Sequence, residues 1–364
     1  MTIKNFQINY DAINRRNIFT NGDTINGRII LEASKETKIQ SLVFIAKGEA
    51  RVNFSEHYGL LGKINPEETE DYSHKQKYYQ IQQYILKETR QNEREIIGKG
   101  QHVFPFSFRI PDRELPSSFS SMFGQIIHTL KAKLKQSMIP ARKAKTHFTF
   151  VSKAEMNIPG IMVSQHRSKQ KSIALNSGIV LLDIYTRRMG YKPGEYNPIG
   201  EELHVTAKIT NLSNRVVKPK FVLDEKKTYN GGEYIKVDKH DILQEKADAI
   251  KSRGGTTAVT KVLTIPRQLS PSILICPIIK LEYRLKVYLD ITCAPSIVLK
   301  LPIVILPELT DENHLPPTSG FRYEAFGTSY EPAWINGPQA IDPPPPYEAA
   351  ALYPLFSSSS YTAA

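Results

Sequence analysis

From Ile279 to Ile291 every second residue is apolar: Ile279, Leu281, Tyr283, Leu285, Val287, Leu289 and Ile291. Between them stand Lys280, Glu282, Arg284, Lys286 and Asp290. Successive side chains of a strand point to opposite faces, so this run makes one dry face and one wet face. A helix would scatter the same residues around its circumference. The pattern recurs at Phe104, Phe106, Phe108 and Ile110, and at Ile126, His128, Leu130, Ala132 and Leu134. Leu203, Val205, Ala207 and Ile209 repeat it, as do Ile297, Leu299, Leu301, Ile303 and Ile305. Many alternating runs with few helical windows predict an all-β chain of antiparallel β-sandwiches. The best helical candidate is Tyr78 to Ile97, a window that also reads in part as a strand. A loop is expected ahead of it, from Glu56 to Lys77.

A length of 364 residues allows two or three domains. A weak internal repeat favours two. Arg15-Arg16-Asn17-Ile18-Phe19-Thr20-Asn21-Gly22-Asp23 precedes a strand near Ile25 to Leu31. Arg187-Arg188-Met189-Gly190-Tyr191-Lys192-Pro193-Gly194-Glu195 precedes another at Leu203 to Ile209. Each has two arginines, an aromatic residue and then a Gly–acid turn feeding a strand. Two such units predict related sandwiches in tandem. The polar, basic stretch from Gln165 to Lys171 reads as the linker between them. Beyond Leu309 the alternation stops, and Pro, Ser, Gly and Ala dominate. Such a segment cannot bury enough apolar surface to fold alone, so a disordered tail is expected.

Charge is divided between body and tail. From Asp311 to Ala364 six acids face one base, Arg322, a balance of −5. With +12 overall, the rest of the chain carries +17. That field favours anionic partners, although it also serves solubility. The sharpest cluster is Lys131, Lys133, Lys135, Arg142, Lys143 and Lys145. The first three fall on the strand face opposite Leu130, Ala132 and Leu134, where they either solvate an outer face or contact acidic lipid or phosphorylated cargo. Nucleic acid is not expected, because no recognition helix, zinc module or RNP-like aromatic pattern accompanies the charge. Cys276 and Cys293 are the two cysteines, without zinc or CxxC spacing, which fits a reducing compartment. With no apolar leader and no run of the roughly 20 residues a spanning helix needs, the chain is expected to be cytoplasmic.

The tail holds Pro344-Pro345-Pro346-Tyr347. A polyproline II helix repeats every three residues, so Pro344 and Tyr347 share a face. An aromatic-lined groove takes Pro344 and Pro345 and seats the ring of Tyr347 beside them, which is how WW domains read P-P-x-Y. Three anchors imply an affinity on the order of 10 μM. Phosphate on Tyr347 would put charge into an aromatic pocket and is expected to block binding. Tyr353-Pro354-Leu355-Phe356 fits a Tyr-x-x-apolar endocytic signal through Tyr353 and Phe356, a match that is frequent by chance. Catalysis has no comparable signature. The chain lacks a G-x-S-x-G elbow, a P-loop and H-E-x-x-H, and its nine histidines are scattered. No enzyme activity, cofactor or metal is expected.

Taken in order along the chain, these motifs resemble the α-arrestins, the arrestin domain-containing proteins. The first unit carries Asn21-Gly22-Asp23, Ile25 and Gly27, then His102 to Pro111, then Leu115-Pro116-Ser117-Ser118-Phe119. The second carries Gly190-Tyr191, Pro193-Gly194-Glu195, Asn211, Ser213, and a strand pair ending in Leu301-Pro302-Ile303-Val304-Ile305. The resemblance implies two immunoglobulin-like arrestin sandwiches: residues 1–160 as the N-domain, 161–172 as linker, 173–308 as the C-domain and 309–364 as tail. It also implies an adaptor at the plasma membrane and endosomes. The body would engage membrane cargo, such as receptors or transporters, and the tail would recruit HECT-type ubiquitin ligases through their WW domains. Ubiquitinated cargo would then be sorted to endosomes or lysosomes. A scaffold that works without ubiquitin and an anionic-lipid-binding module stand as alternatives. Three features depart from the family: a single P-P-x-Y, a short insertion at residues 196–201, and no cysteine in the stretch from Ala247 to Val262, where thioredoxin-binding members carry one.

Overall fold

The structure is a computed structural model that describes residues 2–57, 69–87, 95–173, 177–193 and 201–307. In the first part the strands are β1 (Ile3–Tyr10), β2 (Ile18–Phe19), β3 (Thr24–Ala33), β4 (Thr37–His57), β5 (Thr69–Lys87), β6 (Glu95–Ile97), β7 (Gly100–Arg109), β8 (Phe119–Ser120), β9 (Gly124–Gln136) and β10 (Ile139–Phe150). A single helical turn, α1 (Lys153–Met156), follows. In the second part come β11 (Gln165–Ser172), β12 (Ile179–Thr186), β13 (Gly190–Tyr191), β14 (Glu202–Asn211), β15 (Val217–Asn230), β16 (Ile235–Lys246), β17 (Gly255–Thr264), β18 (Ile279–Ile291) and β19 (Ala294–Ile305).

Each part is a two-sheet sandwich. The first packs a sheet of order β1-β3-β7 against one of order β2-β10-β9-β4-β5, with β6 on β4 and β8 on β9. The second packs β11-β12-β14-β17 against β13-β19-β18-β15-β16. The alternating runs lie on β7, β9, β14, β18 and β19, and their apolar members line the two cores. Phe44 stacks on Phe106 at 4.3 Å in the first core.

The internal repeat has a structural counterpart. In the first sandwich β2 pairs in parallel with the end of β10, through Ile18 with Thr149 and Phe19 with Phe150. In the second β13 pairs in parallel with the end of β19, through Gly190 with Val304 and Tyr191 with Ile305. Gly22 turns the chain at φ 82°, a left-handed value suited to glycine. Asp23 closes that turn by accepting from the Thr20 amide at 2.7 Å.

Two expectations are corrected and one ambiguity is resolved. In the window from Tyr78 to Ile97 the strand reading holds over the described residues: it runs to Lys87 in β5, which pairs with β4 from Ser41–Lys87 to His57–Thr69, and it ends in β6, with residues 88–94 outside the described residues. In the loop expected from Glu56 to Lys77, the described residues 56–57 and 69–77 are strand, and residues 58–68 lie outside the described residues. The segment from Gln165 to Lys171 is not a linker but strand β11, in register with β12 from Gln165–Thr186 to Ser172–Ile179. Both β5 and β11 are edge strands with mostly wet side chains on both faces, so backbone pairing rather than alternation defines them.

The two sandwiches share an apolar cluster. Ala50, Val52, Phe54, Phe119 and Ile126 from the first belong to the same buried cluster as Tyr229, Ile279 and Leu281 from the second. Gly124 sits at that seam, where a Cβ would lie 2.9 Å from Ile279 Cδ1 and 3.0 Å from the Tyr229 ring.

Candidate functional site

The basic cluster is the one candidate site of the sequence that falls on described residues. It occupies the β9–β10 hairpin. Lys131 pairs across the ladder with Lys145, and Lys133 with Lys143. Directly paired residues share a sheet face, so these four lysines and Lys135 form one ladder on the outer side. Arg142 pairs instead with buried Leu134 and lies on the opposite face, so the structure does not bring it into the group. On the neighbouring strand β4, Ile45 lies opposite Lys131 and Val43 opposite Lys133. Val43 is buried although it is on the outer face, as expected where long lysine stems cover it.

None of these five lysines has an acidic partner among the described residues. The Lys131 ammonium is pushed below its ordinary value, first by burial and then by Lys143, Lys133 and Lys145. Further along the same face stands a buried acidic hub, with the exposed Asp71 beyond it on Ser55. Glu49 is 3% exposed and takes Lys47, Arg51 and Lys75 on its carboxylate. Burial alone would raise its pKa, but the three cations hold it down at about 2. One carboxylate among three cations leaves the hub itself net positive, so it offers nothing to compensate the hairpin ladder.

The turn that closes the hairpin, Ser137-Met138, presents an apolar side chain. Met138 has φ 57° and is fully exposed, and Ile139 is 48% exposed. Beside this end of the sheet, Lys38 on β4 pairs with Ile96 on β6, which is 49% exposed.

A second cluster lies at the seam and escaped sequence reasoning, because its members are distant in the chain. Glu155 on α1 is 2% exposed and accepts from the Ser117 hydroxyl and, at 3.3 Å, the Ser117 amide. Burial pushes its pKa up to about 7, against donors that include the amides of Leu274 and Ile275. Close by, the Tyr78 hydroxyl meets Cys276 Sγ at 3.1 Å, and burial raises both groups above their ordinary values. Ser117 also accepts from the Ser152 amide at 2.9 Å. Asn21 accepts from the Lys153 amide at 2.9 Å, which places α1 against the turn that Gly22 makes. The Ser117 and Asn21 motif residues are thus joints of the scaffold. Asn211 and Ser213 do the same in the second sandwich: Asn211 donates to Lys251 O at 2.8 Å, and Ser213 Oγ donates to Asn211 Oδ1 at 2.7 Å.

Of the cysteines, Cys276 is buried and Cys293 is exposed in the turn between β18 and β19. No group of three or more potential metal-ligating side chains occurs among the described residues, and no described helix is long and apolar enough to cross a membrane. Pro344, Pro345, Tyr347, Tyr353 and Phe356 lie outside the described residues, as do residues 196–200 of the insertion.

Comparison with known proteins agrees with this architecture. The family description "Arrestin (or S-antigen), N-terminal domain" matches residues 6–157, and "Arrestin (or S-antigen), C-terminal domain" matches residues 176–308. Arrestin domain-containing protein 4 of Mus musculus is 28% identical over 293 residues, covering 79% of this chain and 68% of that protein. Its Homo sapiens counterpart is 29% identical over 295 residues, covering 80% and 68%. Thioredoxin-interacting protein of Sus scrofa is 26% identical over 355 residues, covering 95% and 84%.

Proposed function

Because the chain belongs to the arrestin family, as an α-arrestin of two tandem arrestin domains, we propose that it is a trafficking adaptor linking membrane cargo to WW-domain ubiquitin ligases of the HECT type. The reading is carried by one observation: Pro344-Pro345-Pro346-Tyr347 stands in an acidic tail behind a double sandwich. The double sandwich offers broad sheet faces for cargo. Consecutive prolines restrict the chain wherever they occur, so docking such a motif costs little ordering. In this reading Pro344 and Pro345 fill the groove, Tyr347 fills the adjoining pocket, and ligase activity is brought to the cargo. The protein would then act peripherally at the plasma membrane and endosomes.

One relative is named for interacting with thioredoxin; in this chain Ala247 to Val262 holds no cysteine and Cys276 is buried, which leaves Cys293, in the turn between β18 and β19, as the exposed thiol.

The test is capture of the full chain by immobilised WW domains, comparing wild type with Tyr347→Ala. Loss of capture with Tyr347→Ala is expected. Unchanged capture would favour a scaffold that works without ubiquitin.

A further inference from the structure

We propose that the β9–β10 hairpin is a bilayer-contact element, with Met138 and Ile139 entering the interface of an anionic leaflet while Lys131, Lys133, Lys135, Lys143 and Lys145 lie against its headgroups. This goes beyond the adaptor reading and does not depend on the tail motif.

Three features of the hairpin converge. The first is uncompensated charge. From Leu115 to Ala154 the chain contains no Asp or Glu, and the five lysines share one sheet face with no acidic partner among the described residues. Like charges at paired positions oppose folding, so the fold carries a cost here that it relieves elsewhere, at Glu49. The second is the apolar turn. Met138 is fully exposed in the turn, and Ile139, half exposed, follows it and pairs with Gln136 on the face away from the lysines, where only the open end of the hairpin leaves it accessible. A soluble sheet has no packing reason to end in two bare apolar side chains, whereas an interface takes apolar tips and rewards flanking lysines that reach back to the headgroups. The third is the kind of cation. The outer ladder is all lysine, and the one arginine of the cluster, Arg142, faces the other way. Lysine acts as a point charge that suits a diffuse layer of headgroups, whereas forked recognition of discrete phosphates on a peptide favours arginine. A phosphopeptide would also leave Met138 unused. The observations therefore favour the membrane.

Each lysine near an anionic surface contributes about fivefold in affinity. Losing three of the five is expected to weaken binding by about a hundredfold. The attraction also falls steeply as salt shortens the Debye length.

The test uses the full chain in vesicle sedimentation. Phosphatidylcholine vesicles are compared with phosphatidylcholine–phosphatidylserine vesicles across a salt series. Wild type is expected to sediment with the anionic vesicles only. The triple variant Lys133→Ala, Lys143→Ala, Lys145→Ala is expected to lose this, and Met138→Ser with Ile139→Ser to weaken it at least tenfold. These positions are exposed, so neither variant is expected to lower the thermal transition. Depth is read with Met138→Trp in a Trp334→Phe background, Trp334 being the single tryptophan. Its fluorescence is expected to shift to the blue and be quenched by brominated lipid. Tyr347→Ala should leave all of this unchanged, so failure of the hairpin and failure of ligase recruitment are separable. The proposal is overturned if both hairpin variants bind vesicles like wild type, or if the introduced indole is not quenched on bound vesicles. It is equally overturned if the lysines bind a multiply phosphorylated peptide but no vesicle.

Discussion

Two buried titratable groups are set against each other, and unmasking them is the most demanding test of the structure. Glu155 has its pKa raised by burial from an ordinary 4.5 to about 7. His128 has its pKa lowered by burial from an ordinary 6.5 to about 4. Between pH 4.5 and 7 the folded state holds a proton on Glu155 that the unfolded state has released, so stability falls as pH rises through that window. Between pH 6.5 and 4 the unfolded state protonates at His128 while the folded state resists, so stability falls as pH drops. Each displacement corresponds to about 3 kcal/mol when fully expressed, or about 1.4 kcal/mol per pH unit. From pH 4.5 to 6.5 the two slopes oppose each other and nearly cancel. Glu49, held at about 2, loses its contribution below this window. His147, also lowered by burial, is common to every variant below.

The perturbations are Glu155→Gln and His128→Gln. In His128 the Nε2 proton goes to Pro116 O at 3.1 Å, and Nδ1 accepts from the Tyr79 hydroxyl at 3.0 Å. Glutamine can keep the first of these bonds. Urea unfolding at a series of pH values reads the result as a slope, so a uniform loss of stability in either variant does not matter. Glu155→Gln should gain stability as pH rises from 4.5 to 6.5, because only the histidine contribution remains. His128→Gln should lose stability over the same range. The double variant should return toward the shallow dependence of wild type. Single variants that run parallel to wild type would refute the assignment of both groups.

The remaining predictions concern packing, a buried ion pair and the tail. Gly124→Val drives a side chain into Ile279 and Tyr229 and should cost about 1–3 kcal/mol, read as a lower thermal transition and faster proteolysis between the sandwiches. Gly178→Ala should destabilise by at least about 1–3 kcal/mol in urea unfolding, because φ is 94° and its Cβ would lie 2.4 Å from Leu212 O. Asp224, fully buried, pairs with Arg284 at 2.5 Å and Lys286 at 2.8 Å. Asp224→Ala takes the carboxylate from Arg284 and leaves Lys286 only the distant Asp241 at 3.9 Å, and should cost about 3–5 kcal/mol in the same assay. Phosphorylated Tyr347 peptide should bind WW domains at least tenfold more weakly than the unmodified peptide in calorimetry, a change of about 1.4 kcal/mol or more.

What the sequence disclosed depended on burial. Strands β9, β14, β18 and β19 each bury one face against a core, and their alternation was legible. Strands β5 and β11 lie at sheet edges with mostly exposed side chains, so composition made one look helical and the other like a linker. The lysine ladder was legible for Lys131, Lys133 and Lys135, which sit on one strand. Their alignment with Lys143 and Lys145, and the turning away of Arg142, depend on a register shift between Ile139 and Arg142. No periodicity records such a shift. Glu155 was invisible for a different reason. A lone glutamate on a four-residue helix looks solvated until Ser117, Leu274 and Ile275 are seen around it.

Strand β9 also joins the two parts of the molecule that matter most for an adaptor. Its Gly124 end packs against Ile279 and Tyr229 of the second sandwich, and its Gln136 end opens into the apolar turn at Met138. Thirteen residues at strand rise put these ends about 40 Å apart. Strand β4 runs beside it and places Val52 and Phe54 in the shared apolar cluster. The Tyr229 hydroxyl adds a bond to Ser121 Oγ at 3.0 Å, and Lys236 reaches Glu56 at 2.5 Å across the same seam. Rotating one sandwich against the other would expose buried Phe54, Ile126 and Ile279 together, so the close-packed seam resists a hinge. A hairpin held against a membrane would then fix the tilt of both sandwiches at once. In the proposed adaptor, cargo of different heights would then be met by different residues on the sheet faces, not by bending the platform.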